Sequence, residues 1–415
     1  MPDIPDPGEV KFICVQMGAR RSYAVPAILE SAGKLERFYT DACGDVGIGR
    51  LAAPLSTVPV VGTRLKRLAN RRVPPSVRAR TYTFDLTVIR HGFRRSLGSN
   101  DLAAQFREHL RFGRDIGRAM TAEGYGAATH IYSMLGEGGD YLREGRRRGL
   151  GIVCEVYIAL SADRILAAER RTFPTWEPDV PDYEAMREGV LPRRVLLECT
   201  DHFICPSDFV RDDLIANWGV PGERATVVPY GIHSGWIDAD PKPVRGRILF
   251  VGSASLRKGI HYLAMAAEKL SGRGRRYEFR IAGDVADSVR TQSACRNLTF
   301  LGRVPRDRVK LEFLEADLLV LPTLAEGSAG ATYEALAAGL PVITTGAAGS
   351  VVRDGIEGRL VLERAPDLLA DAIEEIVEDR PSRDRMAHAA RERSRAYTWD
   401  RYGERLMKAL RGASW

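Results

Sequence analysis

The sequence lacks several patterns that mark common classes of protein. No apolar run approaches the roughly 18 residues that a membrane-spanning helix needs. The opening residues, MPDIPDPGEVKF, carry acids and prolines where a secretory signal has a basic and then an apolar segment. The six cysteines are scattered, mostly within apolar runs, and the paired C-x2-C spacing of structural zinc is absent. We therefore expect a cytoplasmic protein with reduced, buried cysteines.

Motifs of two large enzyme classes are also missing. The first candidate strand is followed by QMGARRSY, not by the G-x-G-x-x-G of dinucleotide-binding oxidoreductases. No G-x-S-x-G nucleophile elbow occurs, and no Ser/His/Asp set can be placed. Asp238 and Asp240 form an isolated acidic pair that does not follow a strand. These absences disfavour an oxidoreductase or a serine hydrolase, and we expect no bound metal.

Positive charge is concentrated in one part of the chain. The net charge is +7, yet residues 51–100 alone hold ten Lys and Arg against one acid, Asp85. Two interpretations of the basic region 64–95 stay open. It is either a solvated surface or a patch that contacts an anionic membrane or a phosphate-bearing acceptor. A nucleic-acid partner is not expected, because no recognised binding motif accompanies the charge.

Strands and helices alternate along the whole chain, which predicts an α/β fold. Near-continuous apolar strands, such as GIVCEVY at 151–157 and DLLVLP at 317–322, indicate buried parallel sheets. A length of 415 residues favours two domains, and the weakest stretch is IHSGWIDADPKPVRG at 232–246. We predict two tandem Rossmann-like, doubly wound domains over residues 1–235 and 236–395, facing a central cleft that binds ligands.

The stretch EGSAGATYEALAAGLPVI places small residues between two glutamates, Glu326 and Glu334. Small residues let the backbone approach a ligand closely, and the free N–H groups of a helix start favour an anion. Carboxylates accept hydrogen bonds from sugar hydroxyls. Taken singly, each glutamate is also explained by its favourable position early in a helix.

A family resemblance decides between these interpretations. The two spaced glutamates, EALAAGLPVI and the later GSVVRDGIEGRLV resemble the donor-binding signature of retaining GT-B glycosyltransferases. The similarity is strongest to the fourth sequence family, many of whose members build bacterial surface glycans. FVGSASLRKGIHYLAMA and FLGRVPRDRVKLEFLEADLLVLPT agree with the same family. The resemblance covers nearly all of residues 200–400 and is looser before them.

The resemblance implies roles for individual residues. Glu326 would contact the transferred sugar, Glu334 the ribose, and Lys258 the donor diphosphate. Ser253 stands where the family often has arginine, so Arg257 or Arg20 would have to supply a second positive charge. Further donor contacts are expected at the phosphates from Ser328, Ala329, Gly330 and Gly18, and near the base from Gly283, Arg303 and Val304.

Roles in the first domain are less defined. Many relatives place a histidine near the sugar, but here the matching strand end gives Tyr132, and His130 lies within the strand. Neither residue can be assigned that role. Glu155 is either an acid on the acceptor side or a partner in a buried salt bridge.

The implied reaction moves a sugar, with retention and without metal or cofactor, from a nucleotide diphosphate sugar to a cell-surface glycan or lipid-linked acceptor. The protein would be cytoplasmic, with a peripheral contact on the inner face of the membrane. Two alternatives are a GT-B sugar-nucleotide epimerase and a non-catalytic nucleotide-sugar-binding protein. In relatives, a helix like that predicted over 396–415 crosses back to the first domain. The sugar, the base and the acceptor are expected to depend on loops of the first domain and on residues 160–195.

Overall fold

A computed structural model describes residues 10–51, 68–99, 101–190, 193–236 and 240–413. The chain divides into two compact units. The first comprises residues 1–155, 180–204 and 412–415, and the second comprises residues 156–179 and 205–411. We call residues 156–179 the strap, because they belong to the second unit while the chain on either side of them belongs to the first.

The first sheet is parallel through its centre. Its strands are β1 (Phe12–Val15), β2 (Leu35–Thr40), β3 (Thr81–Thr83), β4 (His130–Met134), β5 (Gly151–Glu155), β6 (His202–Cys205) and β7 (Ala225–Val227). Their order is β3-β2-β1-β4-β5-β6-β7, and the pairs from β3 to β6 run parallel. The side chains of β1, β4 and β6 are all buried, as the apolar runs predicted.

Helices connect these strands and continue into the strap. They are α1 (Ala24–Ser31), α2 (Asp85–Leu97), α3 (Leu102–Glu123), α4 (Asp140–Arg147), α5 (Ala162–Thr172) in the strap, α6 (Tyr183–Glu188) and α7 (Arg193–Cys199).

Helices α2 and α3 pack together through a buried histidine. His91 of α2 is only 6% exposed, and its two ring nitrogens contact Glu108 and Asp115 of α3. The Asp101 side chain accepts a hydrogen bond from the N–H of Ala104 at 2.8 Å and caps the start of α3. One face of α2 is therefore fixed against α3.

The turn between β1 and α1 has an unusual backbone. Arg21, Ser22 and Tyr23 have φ angles of 48°, 52° and 62°, in the left-handed region that non-glycine residues rarely adopt. Each such residue costs on the order of 1 kcal/mol or more. The Tyr23 ring is fully buried and lies edge-on to Phe38 at 5.6 Å, which fixes the end of this turn.

The second sheet has six parallel strands. They are β8 (Arg247–Val251), β9 (Glu278–Ala282), β10 (Leu298–Gly302), β11 (Leu318–Leu321), β12 (Val342–Thr345) and β13 (Gly358–Val361). Their order is β10-β9-β8-β11-β12-β13. The chain reverses its direction of winding between β8 and β11, and such a switch point leaves a crevice at the carboxyl ends of the two strands.

Besides α5 of the strap, eight α-helices of the described residues belong to the second unit. They are α8 (Asp208–Trp218), α9 (Ile260–Gly272), α10 (Asp287–Arg290), α11 (Arg306–Glu315), α12 (Gly330–Ala337), α13 (Pro366–Glu378), α14 (Arg380–Ser394) and α15 (Trp399–Gly412). The core combines strand residues such as Phe250 and Ile281 with Leu263 of α9 and Ile373 of α13. Trp176 of the strap belongs to the same core.

The structure confirms the predicted fold class and most of its strands. Strand β3 was missed, because three half-buried residues, TYT, give no apolar run.

The C-terminal helix is present as α15. Its crossing to the first domain and the domain boundary after residue 235 stay predictions. Residues 64–67 of the basic region and Asp238 lie outside the described residues.

All six cysteines are free thiols, and five of them are buried, as expected. Burial raises the pKa of the Cys154 thiol to about 12, which makes it inert at neutral pH. Within the described ranges, no helix is long and apolar enough to cross a membrane.

Candidate functional site

Two loops leave the second sheet side by side at the switch point. The basic loop, residues 252–259, follows β8, and the small-residue loop, residues 322–329, follows β11. Because β8 and β11 are neighbouring parallel strands, both loops start at the same edge of the sheet.

Three residues predicted to act on the sugar and the diphosphate, Glu326, Lys258 and Arg257, are brought together here. The guanidinium Nη1 of Arg257 lies 2.7 Å from Oε2 of Glu326, and Nζ of Lys258 contacts the same oxygen. Arg257 also donates to the carbonyl of Ala325 at 3.1 Å. Two cations of the basic loop therefore meet one carboxylate of the small-residue loop.

Burial and neighbouring charges shift the pKa values of Lys258 and Glu326 in opposite directions. Burial lowers the pKa of Lys258 below its ordinary value, and Glu326 opposes that shift. Burial alone would raise the pKa of Glu326, but the charges of Lys258 and Arg257 outweigh it and lower the pKa. The carboxylate is thus ionised at neutral pH. Its charge acts at short range in a poorly hydrated site, where electrostatic interactions are strong.

Ser253 is exposed at the start of the basic loop, where the family often has arginine. Arg257 instead brings a second cation beside Lys258 through their shared partner, Glu326. The sequence suggested Arg257 or Arg20 as the source of the second positive charge. Arg257 has the geometry for that role within the second unit.

The small-residue loop is held largely by its own hydrogen bonds. The Ser328 hydroxyl donates to the carbonyl of Gly349 at 2.7 Å, and the N–H of Ala329 donates to the carbonyl of Ala348 at 2.9 Å. Both groups were predicted to face donor phosphates, and both are already engaged. Gly330 is exposed and begins α12. The backbone at Gly330, at the start of α12, is therefore more accessible to an anion than the backbone at Ser328 and Ala329.

Glu334 lies on α12, apart from the ion-paired cluster. Burial raises its pKa to about 7, and the charge of Arg306 only partly opposes this. Near neutral pH the carboxyl is therefore close to half protonated. In either form its oxygens accept hydrogen bonds, which suits the predicted ribose contact.

The residues predicted near the base lie at the ends of β9 and β10. A Cβ on Gly283 would be 2.0 Å from the carbonyl oxygen of Gly252, so only glycine allows this approach to the basic loop. Arg303 is exposed and pairs with Asp284. Val304 packs partly buried against the second unit's core.

In the first unit, the turn after β1 carries a second set of charged contacts. The N–H of Gly18 donates to Asp41 Oδ1 at 2.9 Å, so this donor is engaged. Glu137 accepts the N–H of Met17 at 2.7 Å and lies 3.5 Å from Arg20. Burial raises the pKa of Glu137 to about 7. The sequence reasoning missed Glu137, although a lone acid among glycines in MLGEGG was a usable signal.

Glu155 is fully buried and takes part in a salt bridge. It pairs with Arg21 and accepts a hydrogen bond from the Tyr132 hydroxyl at 2.7 Å. Of the two roles left open by the sequence, the structure supports the salt bridge. His130 is buried in β4 beside Thr129, whose hydroxyl is 2.8 Å away. No group of three or more potential metal ligands occurs among the described residues.

Comparison with known families covers most of the chain. Residues 240–393 match the family described as Glycosyl transferases group 1, and residues 59–235 match Glycosyltransferase Family 4. Sucrose-phosphate synthase from Thermosynechococcus elongatus superposes with a TM-score of 0.65 at 16% identity, covering 97% of this chain and 98% of that one. Both family matches are to glycosyltransferases, and the fold is that of the GT-B glycosyltransferases, which supports the predicted resemblance at the level of that superfamily.

Curated relatives are similar in sequence over part of the chain. An uncharacterized glycosyltransferase of Methanocaldococcus jannaschii is 29% identical over 37% of this chain and 41% of its own length. The alpha-D-kanosaminyltransferase of Streptomyces kanamyceticus is 25% identical over 68% of this chain and 74% of its own. The chain spans about half the length of the first relatives that it matches.

Proposed function

We propose that this protein transfers a sugar from a nucleotide diphosphate sugar to a glycan or lipid-linked acceptor in the synthesis of a cell-envelope polysaccharide. The observation that carries the proposal is the pairing of Arg257 and Lys258 with Glu326 at the switch point of the second sheet. The family matches of both halves of the chain support the same reaction class.

The cluster suits the departure of a nucleoside diphosphate. Lys258 and Arg257 offer positive charge to the phosphate oxygens, on which negative charge grows as the sugar leaves. Glu326 accepts hydrogen bonds from sugar hydroxyls, and Glu334 accepts them from the ribose. Because these side chains are held before the donor arrives, little reorganisation is needed at the moment of reaction.

We further propose that transfer retains the anomeric configuration and proceeds without a metal. Two side-chain cations at the diphosphate position supply the charge that a metal would otherwise provide. Proton coupling at the anomeric carbon of the product would distinguish retention from inversion. Activity that disappears with EDTA and returns with a divalent cation would refute metal independence.

The reaction is tested by nucleoside diphosphate release from a panel of donors in the presence of acceptor extracts. Lys258→Met should lower kcat by about 100-fold, as removal of one charge-stabilising donor does elsewhere. Lys258→Arg, which keeps the charge, should retain more activity. Isomerised donor without transfer would instead support the epimerase. Tight binding without turnover would support the non-catalytic protein.

We propose that the basic region makes a peripheral contact with the inner membrane surface. Leu86, Ile89, Phe93 and Leu97 recur every three or four residues on α2 and are 77%, 55%, 65% and 74% exposed. Such a spacing forms one apolar stripe, and the buried His91 fixes the opposite face of the helix to α3.

The charges of α2 favour an anionic lipid surface as the partner of this stripe. The helix carries three arginines, and two of them, Arg90 and Arg95, are exposed, while Arg94 pairs with Asp115 of α3 at 3.6 Å. The carboxylate of its one acid, Asp85, is occupied by the Thr83 hydroxyl at 2.9 Å. An apolar stripe with basic residues is typical of helices that lie in the headgroup region.

Co-sedimentation with vesicles tests this contact. Vesicles with phosphatidylglycerol should bind the protein in a salt-dependent way, and pure phosphatidylcholine vesicles should not. Phe93→Ser combined with Leu97→Ser should abolish binding. Leu362→Ser, at a residue 69% exposed in the second unit, is the matched control. Equal binding by both variants, or a change of oligomeric state in the double variant, would refute the proposal.

A further inference from the structure

We propose that the strap positions the basic loop for a nucleoside diphosphate, with Glu177 as the residue that transmits this effect. The inference rests on the proposed function and concerns the same site. The strap precedes the donor-binding half of the chain in sequence, yet it packs within the second unit against both loops of the candidate site.

Glu177 holds the backbone of the basic loop. Its Oε1 accepts the N–H of Leu256, the residue directly before Arg257, at 2.8 Å. Its Oε2 accepts from Nε of Arg170 at 3.0 Å. The Glu177 side chain is 16% exposed. One carboxylate is thus oriented by an arginine of the strap and restrains the peptide next to the two cations.

The opposite side of the basic loop is fixed as well. The carbonyl of Arg257 accepts from the Thr323 hydroxyl at 2.8 Å and from the N–H of Leu324 at 2.9 Å. Gly259 ends the loop with φ of 73°, and a Cβ there would lie 1.8 Å from the carbonyl oxygen of Pro322. The loop is therefore clamped between the strap and the small-residue loop, which leaves the Lys258 backbone little freedom.

The strap is itself anchored beyond Glu177. Glu169 is 2% exposed and accepts hydrogen bonds from His261 at 2.9 Å, from the hydroxyl of Tyr262 at 2.5 Å and from Arg364 at 2.8 Å. Burial alone would raise the pKa of Glu169, but these three donors lower it to about 2. Trp176 fills part of the core. Since His261 and Tyr262 lie in the first turn of α9, the strap also fastens the helix that follows the basic loop.

The start of the strap reaches the small-residue loop. A Cβ on Gly327 would lie 1.7 Å from the carbonyl oxygen of Tyr157, so the two backbones are in direct contact. Gly327 follows Glu326 in the sequence. The strap therefore contacts the neighbours of both members of the central ion pair, Lys258 and Glu326.

Positioning matters because charge stabilisation depends steeply on geometry. A misplacement of about 1 Å by a change outside the reacting groups can cost on the order of 100-fold in rate. Glu177 does not lie among the groups proposed to meet the donor. It acts through the Leu256 peptide, so it is a positioning residue and not a catalytic one.

Calorimetric binding of UDP, GDP and ADP to the full chain tests the proposal. Glu177→Ala should weaken the preferred nucleotide about tenfold, because a charged acceptor of the loop is lost. Glu177→Gln keeps an acceptor oxygen for the Leu256 N–H but loses the Arg170 contact, so it should weaken binding less than Glu177→Ala and about as much as Arg170→Ala. Arg170→Ala, at a side chain 25% exposed, frees the Glu177 carboxylate and should weaken binding about threefold, even if Glu177→Ala does not fold.

Gln292→Ala is the matched control. Gln292 donates to the strap carbonyl of Thr175 at 2.9 Å in an exposed hydrogen bond, and among the described residues it makes no hydrogen bond with the basic loop. This variant should lower the melting temperature slightly and leave nucleotide affinity unchanged. Parent-like affinity in both Glu177→Ala and Arg170→Ala, with weak binding by Lys258→Met, would overturn the positioning role and leave the proposed function standing. A parent that binds none of the three nucleotides and releases no nucleoside diphosphate from any donor of the panel would overturn both.

Discussion

The guanidinium Nη1 of Arg257 lies 2.7 Å from the carboxylate Oε2 of Glu326, and Lys258 contacts that same oxygen. The carboxylate therefore does two things. It offsets the mutual repulsion of two neighbouring cations, and it holds both at the proposed diphosphate position. Removing Glu326 should disturb the cations as well as the proposed sugar contact.

Glu326→Gln should lower the rate of donor turnover by about 100-fold, because a preorganised electrostatic contact is lost. The measurement is steady-state release of nucleoside diphosphate. Glu374→Gln is the control, since Glu374 also pairs with two arginines, Arg273 at 2.9 Å and Arg275 at 2.7 Å, but far from the loops on an exposed helix face. Equal rates in the two variants would contradict the role of Glu326.

Glu334 should make stability depend on pH. Its pKa rises from an ordinary 4.5 to about 7 in the folded protein. The folded state therefore holds the proton more tightly than the unfolded state, and the group increasingly destabilises the fold as pH rises from 4.5 to 7. Glu334→Gln removes this cost. The gain in melting temperature over the parent should be near zero at pH 4 and largest at pH 8, and a constant difference would refute the shift.

Gly327→Ala should destabilise the second unit. The new methyl group would overlap the carbonyl oxygen of Tyr157 at 1.7 Å, and forced overpacking costs about 1–3 kcal/mol. Gly330→Ala is the matched control, because nothing lies within 4 Å of a Cβ there and alanine favours a helix. Urea unfolding should show a lower midpoint for the first variant only. Similar midpoints would show that the strap can move aside.

Glu155 should matter for stability in the first unit. Glu155→Ala removes the charge partner of Arg21 from a buried site, which costs about 3–5 kcal/mol in comparable pairs. Tyr132→Phe removes one hydrogen bond and should cost about 1 kcal/mol. Denaturant unfolding followed by circular dichroism gives both values. An unfolding free energy for Glu155→Ala equal to that of the parent would revive the alternative of an acceptor-side acid.

The proximity of Lys258 and Glu326 was predictable because each follows a clear apolar strand. Carboxyl ends of neighbouring parallel strands share an edge, so two recognisable loops are enough to locate the site. The engagement of Ser328 and Ala329 was not predictable. It depends on the carbonyls of Gly349 and Ala348, whose approach is set by packing and not by any local pattern.

The role of the strap could not be predicted from the sequence either. Residues 160–195, together with loops of the first domain, were expected to determine the sugar, the base and the acceptor. Glu177 and Glu169 carry no motif, and their partners, such as Leu256 and His261, are distant in sequence. Only the folded chain shows that these carboxylates serve the second unit.

The strap also constrains the order in which the two units can fold during synthesis. Residues 156–179 leave the ribosome well before β8, the first strand of the second sheet, and Trp176 has no core to enter until that sheet exists. The first unit is interrupted by the same segment. A nascent chain that has reached residue 204 therefore carries Trp176 without its core and Glu169 without its three donors, while Glu177 can pair only with Arg170 of the strap. A truncated second unit beginning at residue 205 would lack part of its own interior.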